Sequence, residues 1–357
     1  MNKKTNKPIN MGVAGCGRAG WGMHKEELKA HGKKFKVVAA CDTDPARRDL
    51  MAGEYGCATY SKIEDLIADP TVELVDIATR SPEHTEHAIM ALKAGKKVFL
   101  EKPIALTLAE AKKLEKVAAK YPNSLFIRHN RRFEPTFQHV REIIDSGLLG
   151  EVYEIKLRRQ GFGRRDDWQT ILKCGGGQLL NWGPHLVDHA LQFLGGKVDS
   201  LWSDLRCIAA AGDAEDHVHI ILKGGKNSCV VDLEISGGAA LSEPVYTVFG
   251  SKGALRSDEK TIKLRHLKPG VALSRRKSSA GTPDLGTFGS PDKLTWVEKE
   301  IPVKPKARCN CGDIWAHLYS SIREGKPFPI ALSEAMQVMD VISQARRGTP
   351  YEQKSAK

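Results

Sequence analysis

Four side chains able to bind a ligand or move a proton crowd one stretch, Cys174-Gly-Gly-Gly-Gln-Leu-Leu-Asn-Trp-Gly-Pro-His-Leu-Val-Asp-His189. If the segment is helical, spacings of three and four place Asn181, His185, Asp188 and His189 on one face. Such a face suits a metal centre or an acid–base site. The metal reading is the weaker, because asparagine is a poor ligand and one helical turn cannot close a coordination shell. Cys309-Asn-Cys311 is the only close cysteine pair, and no second pair completes a zinc site. No metal is expected. Asp188 and His189 read as structural residues, and the three glycines let the backbone press close to a cofactor or substrate.

A second reactive residue lies far upstream. Lys102, in Glu101-Lys102-Pro103, follows the apolar run Val98-Phe-Leu100. A lysine held at a strand's carboxyl end can face a ligand bound over the sheet. A third group, Gly15-Cys-Gly-Arg-Ala-Gly20, follows the alternating segment 9–13 and precedes a helix expected over Trp21–His31. The next apolar strand, Phe35–Cys41, ends at Asp42, 22 residues beyond Gly20. Strand, glycine loop, helix, strand and acid form a dinucleotide fingerprint. In that reading Gly15 makes the turn, Gly17 admits the pyrophosphate and Gly20 lets helix pack on strand. The phosphates then sit at the positive end of the helix dipole, and Arg18 and Ala19 of the loop join the cofactor residues. Asp42 would hold the adenosine ribose and repel a 2′-phosphate, favouring NAD over NADP. Arg47 and Arg48 read as exposed helix residues after Pro45.

The elements that must position these groups alternate regularly. Helical periodicity marks 61–68, 83–94 and a helix capped by Thr107 and Glu110, and strands are expected at 74–79, 98–100 and 125–127. This is an α/β doubly wound parallel sheet, assigned to residues 7–128. Ligands bind beyond the carboxyl ends of such strands, which adds Thr79, Ser81, His84 and Glu101 to the cofactor residues. From 129 to 357 the pattern changes. A helix over 135–148 leads into segments of period two at 153–158, 218–222 and 231–235. They indicate an α+β domain on an open, mostly antiparallel sheet with one polar face. Residues 256–300 read as a long irregular excursion, and 314–323 and 332–346 as closing helices. Arg131 and Arg132 are placed to reach the cleft between the domains. In the loop before the glycines, Trp168 could stack on a sugar ring while Arg164, Arg165, Asp166 and Asp167 meet hydroxyls. His217 and His219 read as satisfied histidines or a pocket wall.

Composition is that of an ordinary globular protein, with 27% charged and 41% hydrophobic residues. No apolar run approaches a membrane span, and the basic opening segment Met1–Pro8 lacks a signal peptide's apolar core. The eight cysteines read as reduced thiols, and the expected compartment is the cytoplasm. The net charge of +12 is spread along the chain without a nucleic-acid motif, so neither nucleic acid nor membrane is an expected partner.

In order along the chain, Gly15-x-Gly-x-x-Gly20, Ala78-Thr79 to His84, Glu101-Lys102-Pro103, Asn130-Arg-Arg-Phe133 with Pro135, and Gly175-Gly-Gly…Gly183-x-His185-x-x-Asp188 resemble the Gfo/Idh/MocA oxidoreductases. The resemblance covers nearly the whole chain. It implies a Rossmann domain followed by an open-sheet domain, and NAD(P)-dependent chemistry at a hydroxyl carbon of a sugar, inositol or glycoside. Lys102 matches the family's catalytic lysine and His185 its histidine. The family often carries aspartate where this chain has Asn181, which cannot titrate. Proton transfer then falls on His185, with Lys102 as its electrostatic partner and Asn181 holding the substrate. The substrate residues on this reading are Arg131, Arg164, Trp168, Asn181 and His185. Two other functions share the fold: a glycosidase that oxidises C3 transiently and regenerates NAD, and a dinucleotide-sensing regulator. Family members commonly self-associate, so a homo-oligomer (dimer or tetramer) packed through the polar sheet face is expected.

Overall fold

A computed structural model describes residues 7–225, 227–289 and 292–352. Most of the basic opening segment therefore lies outside the described residues. The first sheet comprises β1 (Ile9–Ala14), β2 (Phe35–Cys41), β3 (Ala58–Tyr60), β4 (Leu74–Ile77), β5 (Lys97–Leu100) and β6 (Leu125–Ile127). Its order is β3-β2-β1-β4-β5-β6, with every pair parallel. The direction of winding reverses between β1 and β4, which opens the ligand crevice at their carboxyl ends. Helices cover both faces, so the central strands are near-continuous apolar runs; all of β4 is buried. The Thr107–Glu110 capping box forms and starts helix Leu108–Ala118. The helix after the glycine loop differs from expectation. It begins at Arg18 as a π-helical turn, Arg18–His24, and continues as α-helix only over Lys25–Lys29.

The second sheet comprises β7 (Val152–Gln160), β8 (Val198–Arg206), β9 (His217–Gly224), β10 (Cys229–Ser236), β11 (Tyr246–Gly250), β12 (Gly253–Ser257), β13 (Thr261–Leu267) and β14 (Trp296–Pro302). The order is β14-β13-β12-β11-β7-β10-β9-β8, antiparallel except where β7 pairs with β10. One face is core: Val218, Ile220, Leu222, Val231, Leu233 and Ile235 are buried, while the residues between them keep some exposure. The stretch expected to be an irregular excursion holds two strands, β13 and β14, at its ends. These strands carry charged residues on the open face, Lys263 and Arg265 opposite Glu300 and Glu298, which hid them among the lysines and serines.

The glycine–histidine stretch is two helices rather than one, Gln178–Asn181 and Gly183–Leu194, with Pro184 in the first turn of the second. The closing helices, Asp313–Glu324 and Leu332–Arg346, run back across the expected boundary at 128/129. Trp315 is fully buried, edge-on to Phe35 and Phe99 of the first sheet at 5.3 and 4.8 Å between ring centroids. No helix among the described residues is long and apolar enough to cross a membrane.

Candidate active site

The glycine loop is held by β4 and Asp42. Gly15 has φ +91°, and a Cβ there would sit 2.4 Å from the Ala78 carbonyl oxygen; one on Gly20 would sit 2.2 Å from that of Gly15. Both positions exclude any side chain. Asp42 Oδ2 accepts from the Cys16 amide at 2.8 Å and Oδ1 from the Asp44 amide at 2.9 Å. Arg47 and Arg48 lie in helix Pro45–Tyr55, as expected, Arg47 exposed and Arg48 half-buried, and both also reach Asp42. Arg47 Nη1 stands 3.6 Å from Asp42 Oδ2 and Arg48 donates to the Asp42 carbonyl at 2.7 Å. A dinucleotide fits here: the first amides of the helix have no preceding turn to bond, and nothing closer than Arg47, at 3.5 Å, would crowd a Cβ on Gly17.

Of the other cofactor candidates, Thr79 Oγ1 lies 3.2 Å from His87 Nδ1, and Ser81 is buried in a 3-10 turn, Ser81–Glu83. His84 is buried with its ring nitrogens 2.7 Å from the Pro103 carbonyl and 3.1 Å from that of Thr79. It clamps the exit of β4 to the loop after Lys102, and burial holds its pKa below the usual imidazole value.

Lys102 stands on a buried ion network. Glu101 Oε1 accepts from Arg128 Nη1 at 2.6 Å and lies 2.9 Å from His24 Nε2, while Oε2 accepts from the Lys102 amide at 3.0 Å. Burial alone would raise the Glu101 carboxyl, but Arg128 and His24 hold it well below the usual range. The Lys102 Nζ donates to the main-chain carbonyl of Asn181 at 2.8 Å, joining the first sheet to the glycine–histidine stretch. Burial lowers the ammonium to about 8. Glu101 opposes that fall, while Arg128, Arg131 and Arg18 deepen it.

His185 is 6% exposed, and its Nδ1 is sealed with no hydrogen-bond partner. Burial first, then the charges of Lys102 and Arg131, keep it well below the ordinary imidazole pKa, so it is neutral at neutral pH. The Trp182 ring meets it edge-on at 6.0 Å and itself lies under two guanidinium groups, Arg131 at 4.3 Å and Arg159 at 4.8 Å. Glu134 Oε1 bridges those two arginines at 2.7 and 2.8 Å. Asp188 and His189 face away into packing. Asp188 pairs with Arg132 through contacts of 2.6 and 2.8 Å, and His189 stacks on Phe137 between the Tyr246 hydroxyl and the Arg131 carbonyl. Arg132 is thus a buried brace rather than a cleft residue, tied also to Glu334.

The glycines make close approaches to protein. A Cβ on Gly176 would lie 2.6 Å from the Gln169 carbonyl oxygen, and one on Gly177, at φ +109°, 2.2 Å from the Glu215 carboxylate. They seat the helix against protein. Asn181 likewise meets Lys102 through its main chain. Arg164 is exposed, and Trp168 lies under Arg80 at 5.7 Å beside the β4 exit. A cavity of about 400 Å³, whose walls include Arg159, Gln178, Trp182 and Glu215, adjoins this loop. His217 and His219 are satisfied by Ser236 and Asp232. Among the described residues no three His, Cys, Asp or Glu side chains converge as a metal site. Trp182, His129, Arg128 and His24 also belong to the site or its support; no local spacing singles them out.

Residues 9–129 match the oxidoreductase family with an NAD-binding Rossmann fold, and residues 137–256 match the GFO/IDH/MocA C-terminal domain. The chain belongs to the Gfo/Idh/MocA family of NAD-binding oxidoreductases. It is 28% identical to the oxidoreductase YdgJ of Escherichia coli over 94% of both chains. It is 23% identical to the scyllo-inositol 2-dehydrogenase (NADP(+)) IolW of Bacillus subtilis, over 94% of this chain and 92% of that one. An inositol 2-dehydrogenase of Rhizobium meliloti is 29% identical over 70% of this chain and 76% of its own. Among solved structures, an NAD-binding protein from Listeria innocua superposes with a TM-score of 0.79 at 23% identity, covering 96% and 97% of the two chains.

Proposed function

We propose that the protein is an NAD(P)-linked dehydrogenase that interconverts a secondary hydroxyl and a ketone on a sugar, glycoside or inositol. The observation that supports this is the 2.8 Å contact from the Lys102 amine to the carbonyl of Asn181, four residues before His185, together with the charge that Lys102 exerts on that imidazole. A bound nicotinamide supplies the hydride acceptor or donor. In the oxidation direction, neutral His185 takes the hydroxyl proton. The Lys102 ammonium stabilises the negative charge that develops on the same oxygen. Trp182 offers an aromatic wall for a ring, and the Asn181 carboxamide, Arg131, Arg164 and Trp168 are the inferred substrate contacts. Gly15, Gly17, Arg18, Ala19, Gly20, Asp42 and the β4 and β5 exits are the inferred dinucleotide contacts. NAD is favoured by Asp42, although Arg47 beside it tempers the repulsion of a 2′-phosphate. The polar sheet face, with Tyr153, Trp202 and Trp296 exposed, supports assembly as a homo-oligomer.

The test is a panel of inositols, sugars and glycosides with NAD and NADP, following nicotinamide absorbance. Stoichiometric reduced nicotinamide that falls at least about a hundredfold in rate in His185→Ala supports the reading. Glycoside cleavage without net reduction would assign the redox-neutral glycosidase instead. Dinucleotide binding with no turnover of any kind would leave the regulator.

A further inference from the structure

Beneath Lys102 lies a group of charges that the proposed chemistry does not use. His24, in the turn that follows the glycine loop, has no solvent exposure. Its Nδ1 is 2.7 Å from Asp76 Oδ2 on β4, and its Nε2 is 2.9 Å from Glu101 Oε1 at the end of β5. Both partners are carboxylates, so both nitrogens must donate and the ring is an imidazolium. Arg128 continues the chain, with one nitrogen on Glu101 at 2.6 Å and another on Glu27 at 2.5 Å, and Glu27 also accepts from the Trp315 indole at 2.7 Å.

The composition of the group is uneven. Asp76, Glu101 and Glu27 are three carboxylates against two cations, His24 and Arg128. One negative charge is left over, and the Lys102 ammonium, one residue beyond Glu101, acts on that carboxylate. An unpaired buried charge is costly, so the group and Lys102 are held to each other. Lys102 otherwise faces Arg18, Arg131, His84, His129, His185 and the Asn181 carbonyl, none of which supplies a negative charge.

We propose that His24, bridging Asp76 and Glu101, is a positioning residue that sets the charge of Lys102 from beneath the cleft. Because His24 belongs to the helix that begins at the dinucleotide loop, it also ties that helix to the lysine. Catalytic relevance rests on the function proposed above; the electrostatic coupling does not.

Two substitutions of opposite sign test it. His24→Gln removes a cation and leaves the group more negative, so Lys102 holds its proton to higher pH. Glu27→Gln, on a short surface helix, removes an anion and has the reverse effect. The readout is the titration of the Lys102 amine in full-length protein, followed by NMR after carbon-13 methylation of lysines and assigned by its absence from Lys102→Arg. The midpoint is expected to rise by roughly half a pH unit or more in His24→Gln and to fall by a similar amount in Glu27→Gln. Shifts of one sign in both variants, or in neither, overturn the inference, since general loosening of the fold would move both the same way. If the amine shifts as expected while pH–activity curves do not follow, the coupling stands and Lys102's catalytic role falls.

Discussion

Replacing Lys102 with arginine is expected to abolish the alkaline limb of the pH–activity profile. Lys102 titrates at about 8, so the fall from its usual 10.5 corresponds to about 3 kcal/mol favouring the neutral amine. Roughly ten amines in eleven are charged at pH 7 and one in eleven at pH 9, so kcat/KM should drop about tenfold between those values if the ammonium is the working form. His185 imposes no opposing limb in this range, because its pKa lies well below 6.5. A guanidinium stays protonated throughout. The variant should therefore show a flat profile at a lower rate, because a planar fork reproduces the single 2.8 Å contact to the Asn181 carbonyl poorly. The assay is initial-rate reduction of nicotinamide from pH 6 to 9.5 with the best substrate of the panel. A wild-type rate that climbs through pH 8 would make the neutral amine the base and reverse the roles assigned to Lys102 and His185. A limb that persists in Lys102→Arg would assign it to another group.

Three further outcomes concern stability. Asp188→Ala strands the Arg132 guanidinium in a buried site and should cost about 3–5 kcal/mol in urea unfolding, with Glu334 recovering part of it. Gly177→Ala meets both a left-handed backbone and the Glu215 carboxylate and should cost about 3 kcal/mol or more, whereas Gly163→Ala, with open space at its Cβ, should stay within about 0.5 kcal/mol. His24 is raised from 6.5 to about 9: burial opposes its charge, but the Asp76 charge and the two hydrogen bonds prevail. The folded state keeps a proton that the unfolded chain loses. That stabilisation is complete below pH 6.5 and is lost as pH rises through 9. Stability should fall by about 1.5 kcal/mol between pH 6.5 and 8, a slope that thermal unfolding of His24→Gln should lack.

The parts of the molecule that could be read from sequence are those governed by local rules. Gly15 and Gly20 announce a loop where no Cβ fits, Thr107 and Glu110 announce a helix start, and alternation over 218–222 and 231–235 announces a one-sided sheet. What could not be read is set by tertiary contact. The carbonyl of Asn181, not its side chain, receives Lys102, and a main-chain acceptor leaves no mark in residue type. His24, Asp76, Glu101 and Arg128 meet across 104 positions of chain, from four separate stretches, and no spacing rule joins them. The glycines of 175–177 carry a true signal of close approach, but sequence names no partner, and the neighbours that a Cβ would meet are Leu106, Gln169 and Glu215. Strands β12 to β14 carry charge at outward positions, among them Arg256, Lys263, Arg265, Glu298 and Glu300, so the surface pattern masked the paired one.

Trp315 has a consequence for how the chain comes into being. Its indole fills the space between Phe35, Phe99 and His24 and bonds Glu27, so the first sheet completes its interior with a residue made long after its last strand. At the usual ribosomal pace of about 5–20 residues per second, roughly 10–40 s separate the synthesis of β6 from that of Trp315. Through that interval the nascent dinucleotide half carries an apolar socket and a charge cluster open to water, a natural point for chaperone engagement. A helix made late, Asp313–Glu324, closes a sheet made early.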